Sequence, residues 1–143
     1  MSYSSGLFHD LTVDHEVAQR NKYLRLAEQL NLKEGQTILE IGCGWGGFAE
    51  IAAKEFKCSV VGLTLSKEQA LFARDRMAKA QLSNLVDIRI QDYRDVKGSY
   101  DKIVSIEMFE AVGQENWHNY FTIIGNRLKR GGRAAIQSIT IAD

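Results

Sequence analysis

Residues 38–47 read ILEIGCGWGG, an apolar run that breaks into alternating glycines at Gly42, Gly44 and Gly46. No other stretch narrows the fold so far. The run predicts a short buried strand, the glycines a tight turn, and the residues from about Phe48 a helix. Glycine tolerates φ > 0 and lets a ligand touch the backbone. A strand that ends in such a turn presents its ligand at the carboxyl edge of a parallel sheet.

The spacing restricts the ligand. A dinucleotide site needs G-x-G-x-x-G and an acidic residue about 20 positions on. Here the glycines run G-x-G-x-G, and the second strand, SVVGL at 59–63, ends in Thr64. A phosphate-cradling G-x-x-x-x-G-K-[ST] is absent from the sequence. Glu40, two residues before Gly42, completes E-x-G-x-G-x-G, which is similar to the arrangement in S-adenosylmethionine-dependent methyltransferases. A carboxylate beside the turn suits a ligand whose amino-acid end is cationic. Taken alone, the glycines also fit a tight strand–helix turn with no ligand.

The rest of the chain alternates in the same way. An extended arm at 1–14 leads to a helix from His15 to Leu30, capped by Asp14 and striped by Val17, Leu24, Ala27 and Leu30. Strands are expected at 37–41, 58–63, 86–90, 100–106 and 133–141. In the third, Val86, Ile88 and Ile90 alternate with Asp87 and Arg89. Ser66 and Gln69 form a capping-box pattern that opens a helix with Ala70, Ala73, Met77 and Ala80 inside. A short helical turn is expected at 107–112, closed by Gly113. Trp117, Tyr120, Phe121, Ile124 and Leu128 recur at helical spacing; Arg127, Lys129 and Arg130 complement that helix's dipole, and Gly131-Gly132 stop it. The order implies a parallel α/β sheet with helices on both faces.

With right-handed crossovers, four loops meet at one edge of that sheet: 42–47, 64–69, 91–94 and 106–110. Thr64 and Gln69 offer neutral hydrogen bonds to a ribose. Asp92 can accept from an adenine amino group, and Tyr93 can stack on the base. Asp92 and Asp95 equally fit a solvated loop.

At 143 residues this is one domain at most. Lys+Arg and Asp+Glu both number 18, so no basic excess recommends nucleic acid. No apolar run approaches the length of a membrane span, and no signal peptide precedes the arm. Cys43 and Cys58 fit reduced thiols in a cytoplasmic protein. His9, His15 and His118 lack metal-ligand spacing, so no metal is expected.

Read together, LEIGCGWGGFA, VVGLTLSKEQ, QDYRD, YDKIVSIEMFEAVG and GGRAAIQSITI resemble the cyclopropane-fatty-acid synthase family, which includes the mycolic acid cyclopropane synthases. The resemblance covers nearly the whole chain, in the family's order. It implies the class I methyltransferase fold, a Rossmann-like parallel sheet, with about five strands present here. It also implies a fragment truncated before strands six and seven, with strand five an open edge and the lipid pocket incomplete. The reaction implied is methyl transfer from S-adenosylmethionine to the double bond of an unsaturated fatty acyl lipid, followed by loss of a proton and ring closure. Peripheral contact with the inner face of a membrane goes with such a substrate.

Cofactor contacts carried over from the family fall on Tyr3, Ser4, Glu40, Gly42, Cys43, Gly44, Trp45, Gly46, Thr64, Leu65, Ser66, Gln69, Asp92, Tyr93, Arg94 and Ile106. The family's proton acceptor is a bound bicarbonate, and the matching holders are Ser5, Glu110, Gln137 and Ile139. Glu110 keeps the family residue. Ser5 stands where the family has Cys, and Gln137 where it has His, which bears on ring closure more than on methyl transfer. A methyl-branched product is therefore an alternative, as are a methyltransferase for a small soluble acceptor and a non-enzymatic binding module. Phe109, Trp117 and Tyr120 could face a cationic intermediate, although Trp117 and Tyr120 equally fit the helix's core stripe.

Overall fold

The computed structural model describes residues 12–106 and 116–137, with the backbone path alone for residues 12–15 and 137. In chain order the elements are α1 (Thr12–Gln29), β1 (Thr37–Ile41), α2 (Gly47–Phe56), β2 (Ser59–Thr64), α3 (Lys67–Lys79), β3 (Val86–Ile90), a 3-10 turn (Tyr93–Asp95), β4 (Tyr100–Ile106), α4 (Trp117–Arg127) and β5 (Leu128–Gln137). The sheet order is β3-β2-β1-β4-β5, and every pairing is parallel. After β3 the chain returns to the far side of β1. That reversal makes a crevice at the carboxyl ends of β1 and β4, the position where open α/β sheets take their ligands.

Side chains alternate across the strands, so each face has its own core. Ile38, Val60, Val86, Ile88 and Val104 pack with Tyr23, Leu26, Ala27 and Leu30 of α1, Phe48, Ile51 and Ala52 of α2, and Ala70, Ala73 and Met77 of α3. Leu39, Ile41, Leu63 and Ile103 face the other way, onto Tyr120 and Ile124 of α4 and onto Val96 and Tyr100. Among the described residues, helices thus cover both faces, three on one and one on the other.

Several local expectations need correcting. α1 begins at Thr12, so Asp14 lies within the helix instead of capping it. Its buried stripe is Gln19, Tyr23, Leu26, Ala27 and Leu30, whereas Val17 is half exposed and Leu24 only partly buried. Ile90 is also largely exposed, because it ends an edge strand with β2 on one side only. Arg74 guards that edge, donating from Nε and Nη2 to the Ile88 carbonyl at 3.1 and 2.9 Å; occupied carbonyls do not recruit another strand.

On α4, Tyr120 and Ile124 are buried while Trp117 and Phe121 are exposed, so the apolar stripe is wider than the surface it covers. The helix ends at Arg127, and Leu128 already pairs with Tyr100 in β5. β5 therefore begins five residues before the expected strand at 133. From Leu128 its register jumps to Arg133 while β4 advances only from Tyr100 to Lys102, and Gly131 takes φ 81° inside the resulting bulge. Gly131-Gly132 shape this bulge rather than stopping a helix. Gly132 has no room for a side chain, since a Cβ would lie 2.8 Å from the Asp101 carbonyl oxygen. Of the cations expected at the helix end, Arg127 lies in its last turn and also donates to the Gly98 carbonyl, whereas Lys129 lies in β5, 3.6 Å from Asp101. The helical turn expected at 107–112, with Gly113 and Phe109, lies outside the described residues.

Candidate cofactor site

The site is assembled from the carboxyl ends of β1, β2 and β3. Beyond Ile41, the Cys43 N–H still donates to the Leu63 carbonyl at 2.8 Å, so the β1–β2 ladder carries on into the glycine turn. Gly42, Gly44 and Gly46 all take positive φ, at 77°, 56° and 90°. Two of these glycines serve different purposes. A Cβ on Gly44 would meet nothing within 4 Å, so this position opens onto free space. A Cβ on Gly46 would lie 3.0 Å from Met77 Cε and 3.1 Å from Ala73 Cβ, so this position lets α3 press against the turn. Sequence spacing alone treats the two alike.

Glu40 sits on β1 between Gly62 of β2 and Val104 of β4, on the face that packs against α1–α3. It is only 2 % exposed, and its Oε1 has no hydrogen-bond partner among the described residues. Burial pushes its carboxyl well above the usual carboxylate range. Such a group is costly unless something cationic or hydrogen-bonding meets it. Cys43 packs beside it, with its thiol pushed up first by burial and then by the Glu40 charge, so it is no nucleophile. Gly62, which the sequence reading passed over, makes that packing possible: a Cβ there would lie 2.9 Å from Cys43 Cβ. An isolated glycine inside a strand is the signal that could have found it.

At the end of β2 the polar groups interlock. Thr64 Oγ1 donates to Gln69 Oε1 at 2.9 Å and accepts from the Ser66 N–H at 3.1 Å, while Ser66 Oγ accepts from the Gln69 N–H at 3.2 Å. Ser66 is the N-cap of α3, as the pattern predicts. The Gln69 side chain, however, bonds Thr64 instead of returning to the cap N–H. Thr64 and Gln69 thereby hold each other at the rim.

A cleft of about 120 Å³ opens beside them, lined by Gly42, Leu63, Thr64, Leu65, Gln91, Asp92 and Tyr93. Leu65 projects from its mouth and is 66 % exposed. Leu63 and Gln91 are additions to the sequence-predicted set. The Asp92 carboxylate accepts from the Arg94 N–H, Nε and Nη2 at 2.8–3.0 Å, and the Arg94 side chain holds it below the usual range. Tyr93 is braced from below, its ring 5.3 Å from that of buried Tyr120 in an edge-to-face contact.

The strand ends also bring Ile106 beside Gln137 in register. Tyr3, Ser4, Ser5, Glu110 and Ile139 lie outside the described residues. Among the described residues, no cluster of three or more His, Cys, Asp or Glu is placed to hold a metal, and no helix is long and apolar enough to cross a membrane.

Comparison with known proteins agrees with this architecture. The chain is 40% identical to the cyclopropane-fatty-acyl-phospholipid synthase of Escherichia coli K12 over 97% of its own length and 35% of that protein's. It is 39% identical to a probable fatty acid methyltransferase of Pseudomonas putida, covering 98% and 36%. It is 40% identical to the tuberculostearic acid methyltransferase UfaA1 of Mycobacterium tuberculosis, covering 99% and 34%. The chain thus spans about a third of the length of these curated relatives. The structure of the cyclopropane synthase MmaA2 from Mycobacterium tuberculosis superposes with a TM-score of 0.83 at 29% identity, covering 97% of this chain and 49% of that one. The mycolic acid cyclopropane synthase CmaA1 complexed with SAH and CTAB superposes at 0.76 and 30% identity, covering 90% and 45%. The family model for mycolic acid cyclopropane synthetase matches residues 1–143 from end to end, and the chain belongs to that family.

Proposed function

We propose that this chain carries the cofactor-binding half of an S-adenosylmethionine-dependent methyltransferase that acts on the double bond of an unsaturated fatty acyl lipid. The observation that carries the reading is the buried carboxyl of Glu40, whose Oε1 has no partner among the described residues, beside a glycine turn that is open at Gly44. The donor set fits the cofactor: a carboxylate for an ammonium end, hydroxyl and amide groups at Thr64 and Gln69 for a ribose, and Asp92 with Tyr93 for a base. When bound, the cofactor supplies an electrophilic methyl group.

The chain's own residues would do the rest. Glu40 neutralises the cationic end, Gly44 admits it against the backbone, and the Thr64–Gln69 pair orients the sugar. Tyr93, braced by Tyr120, sets the plane of the base. Tyr3 and Ser4, N-terminal to α1, would complete the cofactor contacts. Glu110, with Ser5, Gln137 and Ile139, would hold a bicarbonate, which when bound would supply the base for the proton. An alkene is a weak nucleophile, so alignment with the methyl group and exclusion of water carry most of the catalysis. Peripheral contact with a bilayer at the cytoplasmic surface would deliver the acyl chain. A methyl-branched product is the second reading. It is favoured by Ser5 and Gln137 in place of the family's Cys and His, and by relatives called fatty acid methyltransferases that are as similar as the cyclopropane synthase.

Titration calorimetry with S-adenosylhomocysteine tests the reading. Saturable binding is expected, and Gly44→Val should abolish it, because the new side chain fills the open space at the turn. Unchanged affinity in Gly44→Val would move the site elsewhere. Product analysis of a full-length enzyme on unsaturated phospholipid then separates ring closure from methyl branching.

A further inference from the structure

We propose that Arg76 is a positioning residue for the cofactor: from α3 it ties Glu50 of α2 to the Trp45 carbonyl and so holds the glycine turn in its binding geometry. The inference rests on the cofactor reading above and goes beyond it, because Arg76 and Glu50 do not line the cleft. A turn with three glycines at positive φ has many accessible conformations, and glycine loses more freedom on ordering than any other residue. Its own backbone provides two closures, Gly46 N–H to the Cys43 carbonyl at 3.0 Å and Glu50 N–H to the Gly46 carbonyl at 3.0 Å. The first holds the N–H of the Trp45–Gly46 peptide, but neither holds its carbonyl, that of Trp45, one residue from the open position.

α3 supplies the missing restraint at three successive points. The Phe72 ring meets that of Trp45 edge to face, with centroids 5.3 Å apart. Ala73 and Met77 abut Gly46 so closely that a Cβ would have to push them back. Arg76 then reaches over the turn, its Nε 2.6 Å from Glu50 Oε1 and its Nη1 3.4 Å from the Trp45 carbonyl oxygen. The fork of a guanidinium can hold a carboxylate and a carbonyl together, which a lysine ammonium on a single stem does less well. Glu50 lies in the first turn of α2, where the helix dipole favours a negative charge. Both side chains are partly shielded, at 32% and 22% exposure. A partly exposed ion pair adds little to global stability, so its larger effect falls on the turn it bridges.

The test is calorimetric titration with S-adenosylhomocysteine, at a temperature well below each variant's thermal midpoint. Arg76→Met should weaken binding about tenfold, the size of one lost charge-assisted hydrogen bond, with unchanged stoichiometry and a small loss in Tm. Arg76→Lys should recover part of the affinity, and Glu50→Gln should fall between the two. Arg76→Met with the affinity of the unaltered chain, whatever its Tm, overturns the proposal. If Arg76→Met does not fold, Arg76→Lys and Glu50→Gln decide in the same way. Failure of the unaltered chain to bind would remove the cofactor reading and this inference with it, whereas binding that ignores Arg76 removes the inference alone.

Discussion

The two faces of the sheet are built differently. On one, 21 buried side chains from β1–β4 and α1–α3 form a continuous core among the described residues. On the other the corresponding cluster has 8, supplied largely by β1, β2, β4 and α4. The topology explains the imbalance. α2 and α3 connect neighbouring strands on the same side, and α1 lies against α2. The return from β3 to β4 is made by a short 3-10 turn in place of a helix. Above β2 the second face is therefore covered by Tyr93 and Val96, and α4 leaves Trp117 and Phe121 exposed. The glycine turn is backed by the thick face through Cys43, Phe48, Ala73 and Met77, whereas Leu63 and Tyr93 of the cleft pack with the thin one, against Tyr120 of α4.

Core truncation probes this comparison with the largest effect. Phe48 is 1 % exposed on the thick face, and Phe48→Ala should cost about 4 kcal/mol, because its neighbours on α1 and the sheet cannot collapse into the space. Ile124, 4 % exposed under α4, should cost about 2 kcal/mol as Ile124→Ala, at the low end for an aliphatic truncation, since a helix held on one thin layer can settle inward. Chemical denaturation with matched m-values reads both. Equal losses would mean that the two faces are equally constrained.

Glu40 sharpens the comparison through pH. Burial raises its folded-state pKa, so its contribution favours the folded chain below the ordinary carboxylate value and is lost as pH rises through the raised value. A cationic ligand reverses the preference and draws the carboxylate form. Binding of S-adenosylhomocysteine should therefore release a proton below the raised pKa, and affinity should improve as pH rises toward it. Titrations in two buffers of different ionisation enthalpy should give different heats for the unaltered chain and the same heat for Glu40→Gln. Identical heats for the unaltered chain would place the ligand's cationic end away from Glu40.

The thick face was legible in the sequence because its signals are local. The apolar strand, the alternating glycines and the Ser66 cap each act within a few residues, and β1, α2 and α3 lie close to where the spacing puts them. Where the sequence misled, the deciding contact came from a distant element. Val17 has the right apolarity for the α1 stripe, but the stripe that meets α2 runs through Tyr23 and Leu26. Gly131-Gly132 carry the composition of a helix stop, yet their role is set by Asp101 on β4. Gly44 and Gly46 share one motif and differ only in what stands opposite them, which no spacing encodes. Likewise, Arg76 in a polar stretch of α3 shows nothing in sequence of its reach across 31 residues to Trp45.

The smallest effect expected is at the seam where β1 and β4 meet and the two faces share a backbone. Asp101 Oδ2 accepts from the Thr37 N–H at 2.8 Å and from Thr37 Oγ1 at 3.1 Å, with Lys129 of the β5 bulge at 3.6 Å. The Thr37 N–H leads in holding its carboxyl below the usual range, ahead of the Thr37 hydroxyl and Lys129, which opposes the effect of partial burial. A depressed folded-state pKa means stability that is present above the unfolded value and lost as pH falls through the folded one. The group is largely solvated, so Asp101→Asn should cost only about 1 kcal/mol at neutral pH. The cost should disappear in acid, where the unaltered carboxyl is protonated as well. Thermal midpoints of both chains across the acid range read this directly. If the thin face depends on the seam for its order, Asp101→Asn combined with Ile124→Ala should lose more than the two separate costs, while its combination with Phe48→Ala should be additive. Additivity in both pairs would mean that β4 is held by its neighbours along its whole length and that the seam is only one bond among many.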